Sequence, residues 1–386
     1  MNDIKFVKAR EGLARPLPGE DHVSGIFMFA SALPSGFEAE NVKQITSIQN
    51  AEQLGIAQGS VAWGVLHYHI SEFFRINPGG ELWVGIFPKP GTVHYDDIKT
   101  LQREASGRIR QVAVYIDDAF ATTQCTALQA VAETLEEEHM PLVVLMTADF
   151  SAVTDLTTLA DLHALEAEKV AVIIGQDGGA EGEELFDEVG DTISCLGAAL
   201  GAVSRAAVHE NIGWVGRFNM ATGPELDIIA LANGDLLKDL DPNLIQGIHN
   251  KGYIFLRKHT GITGSYFNDS FTATAVTDDL FSIEANRTMD KAIRGVRTRL
   301  LPQLNSPLRV DAASGQLAPD TVAYLEDLGG QALEQMENDG ELSGFQVVIP
   351  ADQNVLSTSE LEVRIVNVPV GVARSFKVKI GFAPTI

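Results

Sequence analysis

His67 and His69 flank Tyr68 in the stretch HYHISEFFRI and are the clearest metal-ligand candidates in the chain. Two imidazoles two residues apart point to different sides of a helix. A helical zinc site needs them at i and i+4, so these read as ordinary helix histidines. The stretch HEN at 209–211 lacks the second His of H-E-x-x-H, and Asp149, Asp155 and Asp161 lack the spacing and glycine of a calcium loop. GQDGGAEGEE (175–184) follows an apolar strand, where a phosphate loop could sit, but it carries Asp177, Glu181, Glu183 and Glu184 and no cation. It would repel phosphate and reads as an acidic surface loop. No G-x-x-x-x-G-K-[ST], no G-x-G-x-x-G after a strand and no G-x-S-x-G is present. Cys125 and Cys195 lie in apolar, helix-like segments with no His or basic neighbour in sequence, and read as buried free thiols, a disulfide being the alternative. No catalytic set emerges, and neither cofactor nor metal is expected.

The elements that would have to position any site alternate along the first half. HVSGIFMFA reads as a buried strand, IQNAEQLG as a short helix closed by Gly55, and SVAWGVLHYHISEFFRI as a helix stopped by NPGG. ELWVGIF, VAVYI, PLVVLMTADF and KVAVIIG are further strands, and helices are expected over TTQCTALQAVAETLEEEH, LTTLADLHALEAE and ISCLGAALGAVSRAAV. Near-continuous apolar strands between helices imply a mainly parallel sheet covered on both faces. After about residue 215 the character changes. KGYIFLRKHTGITGSYFN has β and turn character, long helices are expected at 279–301 and 319–338, and FQVVI (345–349), LEVRIV (361–366) and SFKVKIGF (375–382) are strand candidates. The expected fold class is α/β: a mainly parallel α/β core domain, an α+β C-terminal domain and arms at both ends. The boundaries read as 1–20 (arm), 21–215, 216–370 and 371–386 (arm).

The 386 residues carry a formal net charge of −24, which argues against nucleic acid as a partner. Between Val131 and Asp191 there are 16 acidic residues and one basic, Lys169, as on a solubilising surface, whereas both ends are basic. Two basic ends on an acidic body suit attraction to another copy of that body. No apolar run reaches membrane-spanning length and no signal peptide is visible, so membrane insertion is not expected and a reducing cytoplasm fits.

Several stretches, in order, resemble the contractile tail sheath proteins of phage tails and related injection machines. They are HVSGIFMFASALPSGFEAENVKQITSIQNAEQLGI, HYHISEFFRINPGGELWVGIF, SCLGAALGAVSRAAVHENIGWVG, NLIQGIHNKGYIFLRKHTGITGSYFNDSFTA and SIEANRTMDKAIRGVRTRLLPQL. GSY at 264–266 departs from the family wording, and the chain is short for the family. The resemblance implies a non-enzymatic subunit of a helical sheath polymer. It would surround an inner tail tube, meet baseplate and tail-terminator proteins, and form a virion tail sheath assembled in the bacterial cytoplasm. It further implies strand arms given to neighbours: Ile4, Phe6 and Val7 at one end, and Phe376, Val378, Ile380 and Phe382 at the other. The receiving platform would carry Val347, Ile349, Leu361, Val363 and Ile365. Arg287, Lys291 and Arg294 share a helix face and are candidates for contact with an acidic tube. RPLPGE and NVPVG would serve as tethers. Two other readings stay open, a cytoplasmic nucleotide-dependent enzyme on a doubly wound fold and a monomeric binding module or adhesin.

Overall fold

In a computed structural model, which describes residues 19–60, 62–350 and 352–382, the apolar runs become strands and the amphipathic runs helices. Residues up to Lys291 form one compact unit, and those from Ala292 onward form a second. In chain order the first unit holds β1 (Ser24–Ala30), β2 (Val42–Ile45), α1 (Ile48–Gln53), α2 (Gly64–Ile76), β3 (Leu82–Pro88), α3 (Asp97–Glu104) and β4 (Gln111–Ala119). There follow α4 (Thr122–Glu137), β5 (Val143–Asp149), β6 (Val170–Val172), β7 (Gly175–Asp177), α5 (Glu181–Val189) and α6 (Leu196–Arg205). β8 (Ile229–Leu231), α7 (Pro242–Asn250), β9 (Leu256–His259), β10 (Ile262–Phe267) and the first half of α8 (Ile283–Leu300) complete it.

The main sheet has the order β2-β3-β1-β4-β5-β6, all neighbours parallel except the edge pair β2–β3. Its central strands are buried on both faces, which is why Val112–Ile116 and Val143–Met146 run apolar without alternating. α2 crosses α6 at very close range. A Cβ on Gly197 would stand 2.3 Å from the His69 carbonyl oxygen, and one on Gly201 2.9 Å from that of Phe73. Lys169, the lone cation of the acidic stretch, is buried and its Nζ lies 2.7 Å from a carboxylate oxygen of Asp290.

Three expectations are corrected. The change in composition near residue 215 is not a boundary between units, because the segment beyond it packs back on the core. β8 pairs with β7, Ile254 bridges to Ile173 and Ala273 to Ala167, and Phe218, Met220, Leu226 and Phe267 are core residues. LTTLADLHALEAE forms two short 3-10 turns, Leu156–Thr158 and Leu162–Ala164, rather than a helix. The carboxylates of Asp155 and Asp161 each cap an amide two residues on, starting a turn that does not propagate. GQDGGAEGEE is not a surface loop: Gly175–Asp177 is buried strand β7, and α5 begins at Glu181.

The second unit contains the rest of α8, α9 (Pro319–Asn338), β11 (Leu342–Val348) and β12 (Arg364–Pro369). α8 and α9 approach closely, a Cβ on Gly295 falling 2.9 Å from that of Ala332. β11 and β12 pair antiparallel as a two-stranded sheet, with Val347 opposite Ile365 and Val348 opposite Arg364. One face of this ribbon, with Phe345, Val347 and Ile365, packs on Ala292, Leu333, Met336 and Leu342.

Candidate assembly surface

The five residues expected to form a platform fall in two clusters, and not all of them lie within strands. Val347 and Ile365 lie in β11 and β12, while Ile349, Leu361 and Val363 flank them in a second cluster with Leu317 and Leu325. β12 begins three residues later than the sequence suggests. The Gln353 side chain takes the Glu362 amide at 2.6 Å and donates to the Glu362 carbonyl at 2.9 Å, so these main-chain groups bond a side chain rather than a strand. The alternation survives: Leu361, Val363 and Ile365 are half-buried, while Glu362, Arg364 and Val366 are exposed.

A two-stranded ribbon is marginal by itself, and three or more strands are usually needed for stability. Among the described residues no third strand borders β11 or β12. The chain nevertheless carries a strand-like sequence just beyond. Residues 370–382 are in neither helix nor strand. Val370 and Val372 are half-buried, but the apolar side chains further on face water: Phe376 is 85% exposed, Val378 74%, Ile380 92%, and Phe382 fully. Four large apolar side chains alternating with Lys377 and Lys379 and left exposed among the described residues are costly to leave in water. Ile4, Phe6 and Val7 lie outside the described residues. Pro369 is the last residue of β12, so Asn367, Val368 and Pro369 of NVPVG, expected to serve as a tether, lie within the strand.

The basic helix is corrected in part. Arg287 is 3% exposed and donates to the carbonyls of Ala206 (3.2 Å), Ala207 (3.3 Å) and Asp21 (2.9 Å), so it is withdrawn from any partner. Lys291 is half-buried beside the Asp21 carboxylate at 2.7 Å. Arg294 is half-buried, and the exposed cations of the helix are Arg297 and Arg299. Spacing grouped Arg287 with Lys291 but could not show which groups would meet them.

The chemical candidates are structural. His67 and His69 are both buried because α2 is enclosed on several sides. Burial holds the His69 ring down to about 3, neutral, with Nδ1 accepting from the Gly197 amide at 3.3 Å. Cys125 and Cys195 are buried free thiols, and burial pushes the Cys125 thiol up to about 12. Among the described residues no group of three His, Cys, Asp or Glu is placed to hold a metal ion, and no helix is long and apolar enough to cross a membrane.

The DUF2586 N-terminal domain matches residues 1–271, and its C-terminal domain matches 279–385. This chain belongs to the DUF2586 family. The break between its two domains falls between residues 271 and 279, ahead of the division at Lys291 and not near residue 215. No curated protein matches this DUF2586 chain in sequence. Among solved structures it is similar to the helical sheath of the anti-feeding prophage in the contracted state, with 15% identity, 99% of each chain covered and a TM-score of 0.65. It is also similar to the PVC sheath complex of an extracellular contractile injection system in the contracted state, with 12% identity, 100% and 98% coverage and a TM-score of 0.60. The sheath tail protein Lin1278 from Listeria innocua has 9% identity, 92% and 96% coverage and a TM-score of 0.53. The DUF2586 chain therefore has the fold of contractile tail sheath proteins over nearly its whole length.

Proposed function

We propose that this chain is a structural subunit of a contractile sheath. Copies polymerise by strand exchange into a helical tube around an inner tail tube, and contraction of the polymer drives that tube through a target envelope. The fold of the sheath proteins supports the class. The observation that carries the mechanism is the exposed alternation Phe376, Val378, Ile380, Phe382 beside a two-stranded ribbon of the same chain. A strand from one copy added to the ribbon of the next is β-augmentation. Head-to-tail exchange does not close on itself, so it generates helical polymers. The residues at the other end, Ile4, Phe6 and Val7, are assigned to a second exchanged strand.

Deleting residues 371–386 should leave a folded, soluble subunit that forms no tubes by electron microscopy. Tubes as abundant as those of the full chain would refute strand exchange through this segment. On α8, Arg294 with the exposed Arg297 and Arg299 is the remaining basic candidate for the inner tube, each contact weak so that the sheath can release it. Reversing all three charges should reduce polymerisation around tubes. Unchanged co-sedimentation with tubes would remove the assignment.

A further inference from the structure

Residues 20–23, just ahead of β1, are held more heavily than a connecting segment needs. Glu20 makes an ion pair with Arg110, and the Asp21 carboxylate accepts from Lys291 Nζ at 2.7 Å. The Asp21 carbonyl accepts from Arg287 Nη2 at 2.9 Å and from Gln111 Nε2 at 3.2 Å. The His22 carbonyl accepts from Ser204 Oγ at 2.6 Å, and that of Val23 from the Arg110 amide at 2.9 Å and Gln111 Nε2 at 3.1 Å. The donors come from the start of β4, from α6 and from α8, three elements far apart in sequence. Arg287, buried and spending its guanidinium on three carbonyls, serves no purpose on the helix surface and every purpose here.

We propose that Arg287 and Lys291 are positioning residues that anchor the root of the N-terminal segment to α8. Tension applied through that segment by a neighbouring copy is then delivered to the helix and the main sheet instead of peeling the chain away from β1. The proposal rests on the strand-exchange reading for why the segment is under load, but the anchor itself is a property of the free subunit. Charge-assisted hydrogen bonds from several directions resist a pull in any one of them, whereas a single contact unzips. Asp21 joins α8 to β4, because its carboxylate and its carbonyl are both engaged, and α6 holds the next residue through Ser204.

The test uses full-length protein with Lys291→Met, Asp21→Asn, the conservative Lys291→Arg, and the exchange Asp21→Lys with Lys291→Asp. In the free subunit, amide exchange at residues 20–24 should rise about fivefold in the first two variants, as expected for loss of one partly exposed ion pair. It should return toward wild type in Lys291→Arg and in the exchange. The minimal concentration for tube formation should rise by a similar factor in the first two variants and fall again in the rescued ones. Unaltered exchange at 20–24, or altered exchange with an unaltered tube-forming concentration, overturns the anchor. Deletion of residues 1–18 reports separately on the reading beneath it. If that deletion leaves tube formation intact, strand exchange at this end fails, whatever residues 20–24 do.

Discussion

The carboxyl of Asp177 has no solvent exposure, and one of its oxygens accepts from the Gly179 amide at 3.2 Å. Burial, reinforced by the neighbouring carboxylates Glu225 and Glu72, raises it to about 7. An unfolded Asp titrates near about 4, so the folded state binds this proton more tightly than the unfolded state does. The contribution to stability is therefore largest at low pH, falls as pH rises from about 4 to about 7, and is flat above. Asp177→Asn keeps an acceptor for the Gly179 amide and removes the charge. The variant should gain thermal stability relative to wild type as the pH is raised from 4.5 to 7.5, by an amount of order 2–4 kcal/mol. A constant difference between the two proteins across that range would show that Asp177 does not carry a raised affinity for its proton. The sequence shows four acids in this stretch but not enclosure. Nothing in GQDGGAEGEE tells that β8 pairs with β7 and buries it, because that contact comes from more than fifty residues away.

At the scale of elements, local pattern was a good guide wherever the element is fixed by its own residues. The helix expected at 319–338 is α9 to the residue, and the helix ending at NPGG is α2, because proline at the start and a glycine-rich turn at the end are local signals. It failed where a distant or side-chain partner intervened. Gln353 delays β12, and Asp155 and Asp161 each divert a would-be helix into a turn. The alternation of Leu361, Val363 and Ile365 was legible, but the burial of Arg287 was not, since its acceptors at Ala206, Ala207 and Asp21 are remote in sequence. The helix crossing gives a sharp comparison. Gly197→Ala would place a methyl 2.3 Å from the His69 carbonyl oxygen, so α2 and α6 would have to separate. A loss of about 1–3 kcal/mol in urea unfolding is expected, in the range of overpacked cores. Gly247→Ala lies within α7 with no atom within 4 Å of the new Cβ, and should gain about 0.5–1 kcal/mol from helix propensity. Equal effects of the two substitutions would mean that the close crossing is not a constraint.

For the whole molecule, the question is whether one exchanged strand is enough to hold two copies together. Burying the four apolar side chains of residues 376–382 yields about 6–12 kcal/mol, at about 1.5–3 each. Ordering seven backbone residues costs about 7–14 kcal/mol. The two nearly cancel, and roughly four ladder hydrogen bonds at about 0.5–1.5 kcal/mol each leave only a small surplus. A single arm is thus a weak link, and the net charge of −24 adds repulsion between bodies that the basic residues Lys377 and Lys379 only partly offset. On the proposed strand exchange, stability of a polymer would have to come from each copy giving and receiving several strands at once, so that after the first contact the rest form at high effective concentration. A weak individual link would also suit the proposed contraction, in which bodies move while their connections persist. A synthetic peptide of residues 370–386 added to the subunit lacking 371–386 should therefore bind with a dissociation constant no tighter than about 0.1 mM, weakening further with salt. The full chain should still assemble at micromolar concentration. Micromolar binding of the isolated peptide would mean that one strand suffices, and the cooperative account of assembly would fall with it.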